Sequence, residues 1–259
     1  MLSLAISPCP NDTFIFCAMK DRYNLVLDDV ESLNRRAERG EFDVTKISVA
    51  AFGNIRSEYA LLRAGGAAGM GMGPLLVARS HREPGGRIAI PGERTTAALL
   101  LRLLGTFETI PMRFDLIPDA VLSGAADCGV LIHEGRFTYQ DKGLVMLADL
   151  GDVWERRMRC PLPLGAVAIR RAPGPEVARK VDAEIRESLL TARAKPDECA
   201  GFIRNHAQEM SPDVIQQHID LYVNDYSLDA DAAAVERLIG LGEECGLYPP
   251  STQPMFAYD

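Results

Sequence analysis

"RGEFDVTKIS" (39–48) and "SGAADCGVLIH" (123–133) follow one pattern: a predicted helix ends, and a glycine, two residues, an aspartate and an apolar strand follow. Counted from the aspartates, Ser48 lies five residues on and His133 six. Ligands of open α/β sheets bind at the carboxyl ends of the strands. The pattern therefore predicts two α/β halves, with Lys46–Ser48 and His133 lining one cleft from opposite sides. A common helix-to-strand turn explains the same pattern, and the pattern alone leaves both interpretations open.

Strands alternate with helices over residues 2–171, which is typical of an α/β protein with mainly parallel strand pairing. The predicted strands are "LSLAIS" (2–7), "FDVTKISV" (42–49), "GPLLVARS" (73–80), "RIAIPG" (87–92), "CGVLIH" (128–133) and "PLGAVAIRR" (163–171). Residues 174–246 are predicted to be wholly helical, with helices that begin near Pro175, Pro196, Ser211 and Ser227.

Two N-terminal helices carry residues that commonly cap a helix. Asp12 is expected to cap the segment "TFIFCAMKD" (13–21). Asp28 and Glu31 have the spacing of a capping box at the start of "DDVESLNRRAERG" (28–40).

The overall composition is that of an ordinary globular protein: 259 residues, 47% hydrophobic, with a mean hydropathy of −0.02. A net charge of −8 without a basic patch argues against nucleic-acid or anionic-membrane partners. The N-terminus lacks a basic region, and Pro8 and Pro10 interrupt its apolar run, so it is a poor secretory signal. The six cysteines form no C-x-x-C pair, which favours the reduced thiols of a cytoplasmic protein.

His133 is the sharpest candidate for chemistry. The ordinary pKa of histidine makes it the side chain best suited to proton transfer at neutral pH. A structural histidine at the end of a strand is the competing interpretation. His81 lies in a polar loop, and His206 and His218 lie in the C-terminal helices, where exposed or packing roles are expected.

The helix of "TTAALLLRLLG" (95–105) offers a second candidate site. Thr95 or Thr96 would cap it, which leaves the free N–H groups of the first turn near Thr96 and Ala97 to bind a carboxylate or phosphate. An ordinary helix cap is the alternative. Ser7 and Asn11, after the first strand, suit either a polar ligand or an Asx turn. No G-x-S-x-G or H-E-x-x-H motif and no metal-ligand pair is present.

Several motifs together resemble one family, the 1,4-dihydroxy-6-naphthoate synthases of the futalosine route to menaquinone, over nearly the whole chain. They occur in the order "SPCPNDTFIF", "DVESLNRRA", "TKIS", "GPLLVAR", "PGERTTAALLL", "GVLIHEGRFTY", "PLPLGAVAIRR" and "YVNDYSLD".

The resemblance implies an α/β, two-lobed type II periplasmic-binding-protein-like fold, with a central cleft and a helical C-terminal region. We expect residues 1–84 and 165–259 to form a larger discontinuous α/β domain and residues 85–164 a smaller one. The implied reaction is a carbon–carbon lyase reaction on cyclic dehypoxanthine futalosine, a small carboxylated molecule, with no metal or organic cofactor. The implied general base is His133, and the implied substrate contacts are Lys46, Ile47, Ser48, Thr95, Thr96 and Ala97.

Three features qualify this picture. Cys17 and Met70 replace residues that the family would have, which concerns the wall of the cleft. Glu134 is expected to point away from His133 across the strand and receives no catalytic role. A solute-binding protein of the same fold and a sibling chorismate dehydratase are the alternative functions.

Overall fold

A computed structural model describes residues 1–207 and 211–258. Its strands are β1 (Ser3–Ile6), β2 (Asn24–Leu27), β3 (Val44–Ser48), β4 (Tyr59–Leu61), β5 (Ala67–Gly69), β6 (Leu75–Ala78), β7 (Arg87–Ile90), β8 (Glu108–Pro111), β9 (Cys128–Leu131), β10 (Val145–Asp149) and β11 (Leu162–Arg170). Its α-helices are α1 (Pro10–Phe16), α2 (Val30–Glu38), α3 (Val49–Ile55), α4 (Thr96–Leu101), α5 (Ile117–Ser123), α6 (Gly135–Thr138), α7 (Leu150–Met158), α8 (Pro175–Ala194), α9 (Pro196–His206), α10 (Pro212–Tyr222) and α11 (Ala232–Glu244). Short 3₁₀ turns cover Cys17–Arg22, Phe114–Leu116 and Asp225–Ser227.

The chain divides into two compact units. The first unit contains Met1–Ala68 and Pro163–Asp259, and the second contains Gly69–Leu162. The sequence placed these boundaries at 84–85 and 164–165. The structure includes β6 in the second unit because β6 is hydrogen-bonded to β9 and β10.

Each unit is built on its own sheet. The sheet of the first unit has the strand order β2-β1-β3-β11-β4, with β5 beside β11. The sheet of the second unit has the order β10-β6-β9-β7-β8. β9, the strand that leads to His133, therefore lies at the centre of its sheet with β6 on one side and β7 on the other.

The prediction of mainly parallel pairing is wrong. Among the described pairings with a stated direction, β1–β2, β1–β3, β7–β8 and β7–β9 are parallel, and β3–β11, β4–β11, β6–β9 and β6–β10 are antiparallel. The antiparallel pairs all involve β6 or β11, the strands that lie next to the two passages of the chain between units. Alternation of strands and helices in a sequence contains no information about such long-range returns.

Each unit has an apolar core. In the first, Ile6 of β1 packs in one cluster with Phe16 and with Leu189 of α8. In the second, Val77 of β6 packs with Val121 of α5. These side chains are fully buried, and burial of apolar surface is the main favourable contribution to folding.

The helix starts confirm some predictions and correct others. Helices begin at Pro175, Pro196 and, after the capping Ser211, Pro212. The fourth C-terminal helix instead begins at Ala232, because Asp231 caps it. Residues 208–210 of the predicted helical region lie outside the described residues.

Two predicted N-terminal caps are wrong. Cys9 occupies the cap position of α1, and Asp12 lies within its first turn, where its carboxylate accepts a hydrogen bond from the Ser7 hydroxyl at 2.7 Å. Asp29, not Asp28, caps α2 and accepts from two backbone N–H groups. In the described part of the chain, no helix combines the length and the apolar character needed to span a bilayer.

Candidate active site

His133 lies just beyond the central strand of the second unit. β9 ends at Leu131, two residues before the predicted end, and His133 follows in a turn. Its φ of +53° is left-handed, a conformation that costs a residue other than glycine of the order of 1–3 kcal/mol and that is concentrated at functional sites. The sequence gives no sign of this backbone, because histidine is not a residue that marks left-handed turns as glycine does.

The imidazole of His133 packs against an aromatic ring. The rings of Phe114 and His133 lie edge to face with centroids 4.8 Å apart, an arrangement that aromatic rings prefer. Phe114 begins the 3₁₀ turn that precedes α5. Sequence analysis did not single out Phe114, because it is distant from His133 in the chain and belongs to no motif.

Glu134 is not on a strand, so the prediction that strand alternation turns it away from His133 is wrong. Its φ of −64° and ψ of −24° are helical, and it directly precedes α6. Its Oε2 atom is buried without a hydrogen-bond partner among the described residues. Burial has the largest effect on the pKa of this carboxyl and raises it. In decreasing order of size, a backbone hydrogen bond of Glu134 lowers the pKa, the negative charge of Asp115 raises it and Lys142 lowers it, and the net shift is upward.

Thr95, Thr96 and Ala97 lie at the same edge of the same sheet as His133. β7 and β9 are parallel neighbours, with Ala89 opposite Gly129, so their carboxyl ends point the same way. The chain leaves β7 toward Thr95 and leaves β9 toward His133. The prediction that Thr95 caps a helix is confirmed.

The Thr95 side chain forms this cap. Its hydroxyl accepts a hydrogen bond from the N–H of Ala98 at 3.1 Å and donates one to the carbonyl of Gly92 at 2.8 Å. Thr95, Thr96 and Ala97 are each buried. Because its hydrogen is donated to Gly92, the Thr95 hydroxyl can donate to a ligand only if that bond is replaced, and it keeps one lone pair that can accept.

Lys46, Ile47 and Ser48 lie in the first unit, on β3. Lys46 is buried, and its ammonium contacts the Asp12 carboxylate and donates to the Gly65 carbonyl, each at 2.7 Å. Gly165 of β11 leaves room for it, since a Cβ atom there would lie 3.1 Å from Cε of Lys46. Ile47 is completely buried. The charge of Lys46 is thus neutralised inside the unit.

The ammonium of Lys46 lies at one end of a buried network of hydrogen bonds. Asn11 donates to Asp12 at 2.9 Å, and Nε2 of His218 lies 3.0 Å from Oδ1 of Asn11. Ser7 donates to the second carboxylate oxygen of Asp12 at 2.7 Å. Ser7 and Asn11 were predicted as ligand contacts or turn residues, and the structure places both in this network of hydrogen bonds. Sequence analysis could not find the network, because Lys46 and His218 are far from its other members in sequence.

Ser48 ends β3 and occupies the cap position of α3. Asn34 of α2 forms two hydrogen bonds with it: Nδ2 donates to the Ser48 hydroxyl at 3.1 Å, and Oδ1 accepts from the Ser48 N–H at 2.9 Å. A hydroxyl that accepts a hydrogen bond keeps its own hydrogen to donate. Ser48 can therefore serve as a hydrogen-bond donor at the carboxyl end of β3.

The described residues contain no cluster of three or more histidine, cysteine, aspartate or glutamate side chains that could hold a metal ion. His133, Glu134 and the Thr95–Ala97 segment follow strands that end at the same edge of the sheet of the second unit. Lys46, Ile47 and Ser48 form a separate buried group in the first unit. The second unit thus offers an imidazole, a carboxyl whose pKa is raised by burial and a helix start at one sheet edge, a set suited to proton transfer on an anionic ligand.

Comparison with known proteins decides the family. A family model described as menaquinone biosynthesis matches residues 2–244. The chain belongs to this family. A relative from Thermus thermophilus is 45% identical over 98% of both chains, and one from Streptomyces coelicolor is 41% identical over 96% of this chain and 95% of the relative. Both relatives are named 1,4-dihydroxy-6-naphthoate synthase.

Solved structures confirm the fold. The crystal structure of protein AF1704 from Archaeoglobus fulgidus has a TM-score of 0.90 and 38% identity, covering 95% of this chain and 98% of that one. The periplasmic aliphatic sulphonate binding protein SsuA from Escherichia coli has a TM-score of 0.67 and 12% identity, covering 98% and 89%. The predicted periplasmic-binding-protein-like fold is therefore confirmed.

Proposed function

We propose that this member of the menaquinone biosynthesis family is a 1,4-dihydroxy-6-naphthoate synthase, a carbon–carbon lyase that acts on cyclic dehypoxanthine futalosine. The proposal rests on two relatives that both bear this name, each more than 40% identical along nearly the whole chain. The motifs that carry the sequence resemblance agree with it. We place the reaction in the cytoplasm and assign it no metal or organic cofactor.

In the proposed mechanism, His133 is the general base. It removes a proton from the substrate, the electrons shift to break the bond to the sugar-derived fragment, and the ring system becomes aromatic. Because aromatisation supplies much of the thermodynamic drive, the protein mainly positions the substrate and moves protons. The position of His133 at the carboxyl end of a central strand supports this role.

The proposed substrate contacts are Thr95–Ala97 and Lys46–Ser48. The helix start at Thr96 suits a carboxylate, and the Ser48 hydroxyl suits an oxygen that accepts a hydrogen bond. The ammonium of Lys46 already binds Asp12 and Gly65. We therefore propose that Lys46 contacts the substrate through its backbone and that its side chain orients this segment of β3. Ile47 would contribute apolar packing behind it.

The experiment is to incubate the purified chain with cyclic dehypoxanthine futalosine in the presence of EDTA and to follow the products by mass spectrometry. Formation of 1,4-dihydroxy-6-naphthoate is the expected result. Recovery of bound but unchanged substrate would instead indicate a solute-binding protein. Conversion of chorismate, tested in parallel, would indicate the sibling dehydratase.

A further inference from the structure

Arg136 holds the turn that carries His133 to two other segments of the second unit. Its Nη2 atom lies 2.8 Å from Oδ2 of Asp149, and its Nη1 atom donates to the carbonyl of Gly73. The N–H of Gly73 in turn donates to Oδ1 of Asp149 at 2.8 Å. These three residues, which we call the Arg136 clasp, thus form a closed cycle of polar contacts.

The clasp lies near the end of β9 that leads to His133. Leu75 of β6 pairs with Leu131 of β9 on one side and with Asp149 of β10 on the other. Gly73 lies two residues before Leu75, and His133 lies two residues after Leu131. The clasp therefore connects the segment after β9 to the segment before β6, the neighbour of β9, and to the end of β10, which lies beyond β6 in the sheet.

Two hydrogen bonds of this turn are long. The N–H of Arg136 donates to the His133 carbonyl at 3.3 Å, and the N–H of Gly135 donates to the Ile132 carbonyl at 3.2 Å, the long end of the range for such bonds. A left-handed non-glycine residue persists only where its surroundings hold it. The guanidinium of Arg136, three residues on, contacts both Asp149 and Gly73 and so restrains the far side of this turn.

The burial of the pair favours a defined geometry over a loose surface contact. The side chains of Arg136 and Asp149 are 12% and 13% exposed, whereas those of Arg156 and Asp152 on neighbouring α7 are 79% and 41% exposed. Exposed ion pairs hold little. The backbone of Gly73 is also closely packed, since a Cβ atom there would lie 2.7 Å from the nitrogen of Gly151.

We propose that Arg136 is a positioning residue, which holds the His133 imidazole in place through its contacts with Asp149 and Gly73. The inference rests on the proposed role of His133 as the base of the lyase reaction. It assigns Arg136 no contact with the substrate.

The first test observes His133 directly and needs no turnover. The chain has four histidines, so their ring signals can be resolved by NMR of histidine-labelled protein and assigned with His133→Gln. Because the Phe114 ring lies against the imidazole, the His133 signals carry a ring-current shift, which Phe114→Leu calibrates. Arg136→Met should abolish most of that shift, and the matched control Arg156→Met should retain it.

The second test measures turnover of cyclic dehypoxanthine futalosine. Misplacement of a reacting group by about 1 Å can cost roughly 100-fold in rate, so Arg136→Met should lower kcat by roughly 10- to 100-fold while KM changes little. Arg136→Lys, which keeps one charged contact, should recover part of kcat. If Arg136→Met does not fold, the double variant with Asp149→Asn, which removes the unpaired carboxylate, takes its place.

The two tests separate the failures. An unchanged ring-current shift and an unchanged kcat in a folded Arg136→Met protein, even one with a lower melting temperature, would overturn the positioning role. Absence of turnover in the wild-type protein would overturn the proposed function, and the NMR comparison would still decide whether Arg136 positions His133.

Discussion

At His133 the backbone and the proposed chemistry place separate demands on one residue. A φ of +53° favours glycine and is uncommon for other residues, although asparagine, aspartate and histidine adopt it more often than the rest, and proton transfer at neutral pH favours an imidazole in particular. Residues other than glycine that adopt a left-handed backbone are concentrated at functional sites, and His133 is such a residue. The neighbouring Glu134 is also unfavourable for stability, because one of its carboxylate oxygens is buried without a hydrogen-bond partner in the described part of the chain.

Replacement of His133 should separate these two demands. We expect His133→Ala and His133→Asn each to lower turnover by about 10²–10⁴-fold, the usual contribution of a general base. Asparagine tolerates the left-handed backbone better than alanine, so His133→Asn should have the higher free energy of unfolding. Turnover assays and urea unfolding measure both quantities. Full activity in either variant would remove His133 from the mechanism.

Glu134→Gln should change how stability depends on pH. Burial raises the pKa of Glu134 in the folded state, so the native protein keeps this proton to a higher pH than the unfolded chain. Stability contributed at low pH is then lost as pH rises from the unfolded pKa through the raised folded pKa. Relative to wild type, Glu134→Gln should gain stability across that window and keep a constant advantage above it. Urea unfolding at a series of pH values measures this, and a difference that does not vary with pH would contradict it.

At the scale of elements, one buried ion pair joins α1 to β3. Asp12 of α1 and Lys46 of β3 lie 2.7 Å apart with side chains 2% and 5% exposed. A buried pair contributes little net stability compared with apolar residues, but the loss of one partner leaves an uncompensated charge. The pair therefore mainly fixes how α1 and β3 are aligned, close to Ser7 before α1 and to Ser48 at the end of β3. Its contribution to the stability of the fold is small.

This argument predicts the result of a double-mutant cycle. Lys46→Met should lower the free energy of unfolding by about 3–5 kcal/mol. The further change Asp12→Asn should restore part of that loss, because it removes the stranded carboxylate. The matched control is Lys20→Met, since Lys20 pairs with Asp21 at the surface. Chemical denaturation of wild type, Lys46→Met, Asp12→Asn and the double variant gives the coupling, and simple additivity of the two changes would contradict it.

At the scale of the whole molecule, the chain builds two sheets with separate apolar cores. The second unit is formed by one continuous segment, Gly69–Leu162, whereas the first needs both ends of the chain. The second unit also contains His133, Thr95–Ala97 and the complete Arg136 clasp. A contiguous segment with its own core has the properties of an independently folding domain.

We therefore expect residues 69–162 expressed alone to fold. The segment should give a mixed helix and strand signal by circular dichroism and one cooperative urea transition. The His133 ring-current shift from Phe114 should persist in it, because both residues lie within the segment. A segment without cooperative unfolding would show that the core of the second unit depends on the first.

Local sequence patterns are sufficient to predict the main elements and the candidate residues. Apolar periodicity and punctuation by glycine and proline located the main strands, the cap at Thr95 and the starts of α8, α9 and α10, because these depend on neighbours within a few residues. Family motifs pointed to His133, Thr95–Ala97 and Lys46–Ser48. The misplaced caps at Asp12 and Asp28 show the limit, since a carboxylate near a helix start can serve either the helix or a distant partner.

The contacts of those residues follow from the tertiary fold and not from local sequence. The antiparallel pairing of β6 and β11, the neutralisation of Lys46 by Asp12, the ring of Phe114 against His133 and the clasp of Arg136 all join residues that are far apart in the chain. Whether two such residues meet depends on strand order and register, which arise from the packing of the whole unit. Local sequence patterns report the period of an element and its ends, and they contain no term for a partner 60 or more residues away, such as Gly73 for Arg136.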